Sequence, residues 1–166
     1  MPVPEVRPAE PADAVSIATV QLEVWQTTFA DLLPAELVAM SADELAASWA
    51  PLLPSVLVGV EGAHLAGFAH LGPVDDAGLG EIALLYVRPA WGRRGHGGRL
   101  LAAAGAALAA RRAQLGSWWI PVNDLASQRF ARSVGWERTA EARGFDTGRA
   151  LLRERRWTGS LDFRLD

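Results

Sequence analysis

The chain has 166 residues, half of them hydrophobic, and a formal net charge of −3, enough for one domain with a sizeable core over residues 1–166. It contains no Cys and no Lys, which excludes disulfides, zinc–thiolate centres, a thiol nucleophile and a lysine Schiff base; no metal is expected. A sequence pI of about 5.6 without basic–aromatic interleaving argues against a nucleic-acid partner, and with neither a signal-like N-terminus nor a bilayer-length apolar run, no membrane partner and a cytoplasmic setting are expected.

Val6-Arg7 reads as a short first strand. Pro11-Ala12-Asp13 opens a helix on which Ile17, Val20, Leu22, Val24 and Trp25 give a broad apolar face. Pro34 suits the first turn of a second helical segment. Ser41-Ala42-Asp43-Glu44 is a capping-box pattern for a third, ending near Trp49-Ala50-Pro51. Ser55 to Val60 and Leu65 to Leu71 make a hairpin around Gly62-Ala63. After a loop from Asp75 to Gly80, Glu81 to Val87 is an apolar strand expected at the centre of the sheet. A helix is expected from Gly97 to Leu115, with Leu100, Leu101, Ala104, Leu108 and Leu115 on its buried side and Gly116 as its C-cap. Trp118 to Val122 is the next strand. Asp124 N-caps a helix to about Val134, ended by Gly135. Trp136 to Phe145 and Leu151 to Trp157 form a last pair of strands around Asp146-Thr147-Gly148.

The segment joining the central strand to the long helix carries the chemistry. Tyr86-Val87-Arg88-Pro89-Ala90-Trp91-Gly92-Arg93-Arg94-Gly95-His96-Gly97-Gly98-Arg99 is a strand end, a loop dense in Gly and Arg, and a helix start. Such a turn leaves backbone N–H groups free at a helix N-terminus, and with the helix dipole they form an anion site. Arg93, Arg94 and Arg99 add positive charge. The fitting guest is a phosphate or diphosphate. A nucleotide P-loop is excluded for want of Gly-Lys-Ser/Thr, and the dinucleotide fingerprint lacks its third Gly.

This segment resembles the acetyl-CoA loop of the GNAT superfamily of N-acyltransferases. Val87-Arg88-Pro89 fits the strand end of that pattern and Gly92-Arg93-Arg94-Gly95-His96-Gly97 fits its loop, with Gly92 where the family usually has Gln or Arg. A second match runs from Asp124 to Trp136. There Phe130, Gly135 and Trp136 fit, while Asp124 stands for the family's Asn, Ser127 for its Ala and Ala131 for its Tyr. The order of elements is similar to the GNAT fold over nearly the whole chain. The resemblance implies an α/β (α+β) fold with a mixed, mostly antiparallel central sheet flanked by helices, whose splayed strands form the acetyl-CoA cleft.

The resemblance further implies an N-acetyltransferase in which an amine of a small molecule or peptide attacks acetyl-CoA directly. The backbone of Leu85, Tyr86 and Val87 would pair with the pantetheine arm and supply an oxyanion donor. The N–H groups of Arg93, Arg94, Gly95, His96, Gly97, Gly98 and Arg99 would hold the diphosphate, with the His96 side chain exposed. Asp124 joins the cofactor site by its place in the second match. Glu81 is the first candidate for general base, with a solvated strand-end carboxylate as the alternative. His70 is a second candidate, backed by Asp75 and Asp76, and His64 is expected to be structural or exposed. Trp25 and Phe29, one helical turn apart, either line the acceptor site or belong to the core. The usual acid is missing at Ala131. This departure, with Gly92 and Asp124, keeps a non-catalytic acyl-CoA-binding protein as a rival, beside a transferase of bulkier acyl groups. A homodimer is compatible with the family.

Charge is unevenly placed. Only Arg7 among the 16 basic residues precedes Arg88, whereas 12 of the 19 acids do. A basic half suits an anionic cofactor and an acidic half a cationic acceptor, unless the acids simply cover solvated helix faces.

Overall fold

The structure is a computed structural model and describes residues 1–163. Among these residues seven strands form one sheet: β1 (Pro4–Pro8), β2 (Val56–Glu61), β3 (His64–Val74), β4 (Leu79–Val87), β5 (Leu115–Pro121), β6 (Glu137–Asp146) and β7 (Leu151–Gly159). Their order is β1-β2-β3-β4-β5-β7-β6, and every pair is antiparallel except β4 with β5. One face packs against α1 (Ala14–Thr28) and α3 (Ala42–Trp49), joined by the short α2 (Ala35–Val38). The other face holds α4 (His96–Ala110) and α5 (Leu125–Ser133). This is the mixed, mostly antiparallel architecture the sequence implies.

Local signals set most boundaries. Pro11–Asp13 forms a 3-10 turn that feeds α1. The Ser41 hydroxyl accepts from the Glu44 N–H while the Glu44 carboxylate accepts from the Ser41 N–H, so α3 has the predicted capping box. Pro34 lies just before α2, as its N-cap. The three Gly of α4 each cost up to about 1 kcal/mol relative to Ala. Burial of Leu100, Leu101 and Leu108 contributes roughly 1.5–3 kcal/mol apiece, so packing outweighs propensity.

The end of α4 corrects the sequence reading. The helix stops at Ala110, and Leu115 is an exposed residue that starts β5. Arg112 takes a left-handed φ of 68°. The Arg112 N–H donates to the Ala109 carbonyl and the Ala113 N–H to that of Leu108, the paired bonds of a Schellman motif. Gly116 therefore caps nothing and is a strand residue. It lies, with Gly159, against the indole of Trp136, which donates from Nε1 to the Ser160 carbonyl.

Two features of β4 shape the centre of the sheet. Its parallel pairing with β5 covers only Leu79–Ile82 against Leu115–Trp118; beyond that the two strands are unpaired with each other. Just there Ala83 is an extra residue opposite β3, since His70 pairs with Leu84 and Leu71 with Ile82. This bulge puts Glu81, Leu84 and Tyr86 on one face of the strand and Ile82 and Leu85 on the other.

The indole of Trp136 fills the space above Gly159, so a Cβ there collides with the ring. Gly159→Ala is expected to lower the unfolding free energy by about 1–3 kcal/mol, read from urea denaturation of the two proteins.

Candidate active site

Where β4 and β5 part, a cleft of about 300 Å³ opens. Leu84, Leu85 and Tyr86 form its β4 side, and Trp118, Pro121 and Asp124 its β5 side. Trp25 of α1 and Phe29 at its C-cap close it from above, with Leu33 and Leu37 beyond them. The β6–β7 hairpin supplies Thr147, Leu152 and Glu154. Predominantly apolar walls with a few polar groups are what a small-molecule site requires.

Three of the polar groups, Asp124, Glu154 and Tyr86, have a defined state. Asp124 caps α5: its Oδ1 accepts from the Ser127 N–H at 3.1 Å and its Oδ2 from the Ser127 hydroxyl at 2.6 Å. Glu154 is only 7% exposed, and its Oε1 accepts from Arg143 Nε at 2.8 Å. Burial holds the Tyr86 hydroxyl above the ordinary phenol value, and the negative charge of Asp124 adds to this, while the Trp25 side chain opposes it by hydrogen bonding. Tyr86 is therefore a neutral hydroxyl that donates to or accepts from a guest without ionising.

The loop after β4 presents a second surface. Gly95, at φ 81°, lets the chain reverse into α4 at its N-cap. No acceptor within the described residues bonds the amide N–H groups of residues 93–98; the first engaged is that of Arg99, bonded to the Gly95 carbonyl. Arg93 and Arg94 are exposed, Arg94 lies over the Trp91 ring at 4.7 Å, and Arg99 Nη1 donates to the Arg94 carbonyl. A run of free amides at a helix N-terminus beside three guanidinium groups fits a diphosphate.

The family model for the acetyltransferase (GNAT) family matches residues 20–136, more than half of the chain. This chain belongs to the GNAT family. Solved structures share its fold: the GCN5-related N-acetyltransferase of Rhodopseudomonas palustris is 25% identical, with a TM-score of 0.75 over 96% of this chain and 97% of that one. The PaiA N-acetyltransferase of Thermoplasma acidophilum, in complex with coenzyme A, is 15% identical with a TM-score of 0.74, covering 95% and 99% of the two chains. The YncA protein of Salmonella typhimurium, with its cofactor acetyl-CoA, is 22% identical with a TM-score of 0.72 over 98% and 96%. No curated protein sequence matches the chain.

In this GNAT chain the sequence-derived residues fall into three places. Leu85, Tyr86, Asp124, Trp25 and Phe29 line one cleft. Arg93, Arg94, Gly95, His96, Gly97, Gly98 and Arg99 form the loop and first turn of α4, where Gly97 faces Phe130 and Val87. Glu81 is outside the cleft lining, on the same face of β4 as Leu84 and Tyr86, with its carboxylate over Gly72 of β3. His96 corrects an expectation. Its side chain is buried, and Nε2 lies 3.0 Å from Glu61 Oε2, which ties the start of α4 to the end of β2. His64 is exposed, as expected, with its ring beside Trp91. Ala131 is fully buried. Sequence reasoning missed Gln21, Thr147 and Glu154. Only Glu154 left a trace, as the one acid in the Arg153–Arg156 run, in alternation with Leu152.

His70 is half-buried against the edge of Trp49, and desolvation lowers its pKa, with Glu81 pulling the other way. The unfolded chain then binds the proton more readily than the folded one. The neutral imidazole's contribution is present above the ordinary value of about 6.5 and is lost as pH falls through the lowered value. The wild type is expected to lose stability relative to His70→Gln between about pH 7 and 5, measured by thermal denaturation of both across that range.

Proposed function

We propose that this GNAT chain is a cytoplasmic acetyl-CoA-dependent N-acetyltransferase whose acceptor is a primary amine of a small molecule or peptide. The observation that carries the reading is a free-amide loop at the N-terminus of α4 that follows directly on β4, the strand whose splay from β5 opens the cleft. Acetyl-CoA, when bound, supplies an activated thioester carbonyl. The amides of residues 93–98, with Arg93, Arg94 and Arg99, hold its diphosphate. The unpaired edge of Leu85, Tyr86 and Val87 holds the pantetheine arm, and one of its N–H groups donates to the oxygen as it gains charge.

Trp25 and Phe29 pack on the acceptor and position its nitrogen. An alkylammonium near pKa 10 must lose a proton before it attacks. Glu81 takes that proton through water, the new N–C bond forms as the C–S bond breaks, and the sulfur leaves as a thiolate that takes up the second proton shed by the acylated nitrogen. With Ala131 buried where the family's Tyr would stand, no protein acid is needed there, because a thiolate with a pKa near 8.5 is a competent leaving group. The same Ala131 favours the second reading, a CoA-binding protein that does not turn over.

Calorimetry with acetyl-CoA and desulfo-CoA, together with free-thiol release with and without amines, separates these readings. Binding with thiol release is expected. Binding without release under any amine supports the non-catalytic reading, and no binding overturns the cofactor assignment. Glu81→Gln is expected to lower kcat about 100-fold at unchanged KM for acetyl-CoA, measured by steady-state thiol release; an unchanged kcat removes Glu81 from the mechanism.

A further inference from the structure

The cleft holds one carboxylate with spare capacity. Both oxygens of Asp124 are engaged by Ser127. Glu154, more than nine-tenths buried, has Oε1 bonded to Arg143, while Oε2 accepts no hydrogen bond from the described residues. Arg143 does not neutralise the group fully: its side chain is 48% exposed, where solvent screens its charge, and its guanidinium lies over Trp119 at 4.4 Å. A carboxylate oxygen that has no protein donor and sits on the wall of an apolar cleft is matched by a cation carrying N–H groups.

The surroundings define the rest of that ligand. Trp25, Phe29, Leu33 and Leu152 give the cleft aromatic and aliphatic walls. At about 300 Å³ it is at the small end of ligand cavities (about 300–1,000 Å³), and in a transferase it must also admit the acyl group. We infer that Glu154 is the specificity-determining carboxylate for the acceptor, and that the acceptor is a compact primary amine with an apolar, ring-sized body and no second polar end. The inference rests on the acetyltransferase reading for its acceptor and on the cleft geometry for its chemistry. Glu154 Oε2 receives the ammonium while the apolar body replaces water against Trp25 and Phe29.

The test is calorimetric binding of 2-phenylethylamine, n-hexylamine and the neutral 2-phenylethanol to the full chain at pH 7, with and without CoA. The amines are expected to bind at least tenfold more tightly than the alcohol, and ethanolamine at least tenfold more weakly than 2-phenylethylamine. Glu154→Gln, nearly isosteric, is expected to abolish the preference for amine over alcohol while its affinity for CoA stays unchanged. In turnover the same variant is expected to raise KM for 2-phenylethylamine about tenfold, with Glu154→Asp recovering part of the loss. Equal binding of amine and alcohol by the wild type overturns the inference whether or not the variant folds. So does failure of all apolar amines to bind, or an amine preference that survives in Glu154→Gln. Loss of the acetyltransferase reading shows separately, as absent CoA binding or absent thiol release in a chain that still binds the amine.

Discussion

A sheet that stops pairing in its middle is an expensive arrangement, because each strand then turns unbonded N–H and C=O groups toward its neighbour. In this chain the break falls between β4 and β5 beyond Ile82 and Trp118, and each strand is held from its outer side. β4 remains paired with β3 up to Val87, and β5 with β7 from Gly116 to Pro121. Trp118 and Phe130 meet edge to face at 6.4 Å beside the gap, and the Asp124 cap starts α5 just past the end of β5. Neither strand can swing to close the gap without giving up its outer ladder. The opening is therefore a property of the sheet, and the cleft, the loop after β4 and the hairpin wall are all placed relative to it.

The bulge at Ala83 works with this break. Strict alternation would put Glu81 on the face of Leu85, toward α4. One extra residue returns it to the face of Tyr86, toward α1. A carboxylate at the start of β4 and the walls of the cleft thus belong to one side of the sheet. Charge is divided the same way along the molecule: guanidinium groups gather at the start of α4, while the acidic groups Glu154 and Asp124 line the cleft. A ligand with phosphates at one end and a partner carrying an ammonium group would each meet its complement.

What could be read from the sequence was what neighbouring residues decide. The Ser41–Glu44 box, the Asp124 cap, the Gly135 stop and the Gly-rich turn before α4 are each set by backbone groups a few residues apart. The end of α4 was not legible, because Arg112 occupies a left-handed position that a sequence reader assigns to Gly, and Gly116 offered a false stop. The burial of His96 depends on Glu61, 35 residues away, and loop composition carries no trace of it. Glu154 was hidden for the same reason: among three charged neighbours, its direction is set by pairing with Pro121 and Arg143 on two other strands. Trp25 and Phe29 were legible as a pair one turn apart, but only the splay of β4 from β5 gives them a cavity to line.

The anchoring of His96 has a consequence for how a ligand meets the loop. His96 is buried against Trp91 and bonded to Glu61, Gly95 already holds its left-handed turn, and Arg99 is bonded to the Arg94 carbonyl. The amides of residues 93–98 are thus fixed in direction as the domain folds. Their conformational entropy is lost at that stage, and an arriving anion has little left to order. A loop held in this way would meet an anion as a rigid surface, with association governed by encounter and desolvation instead of by loop closure.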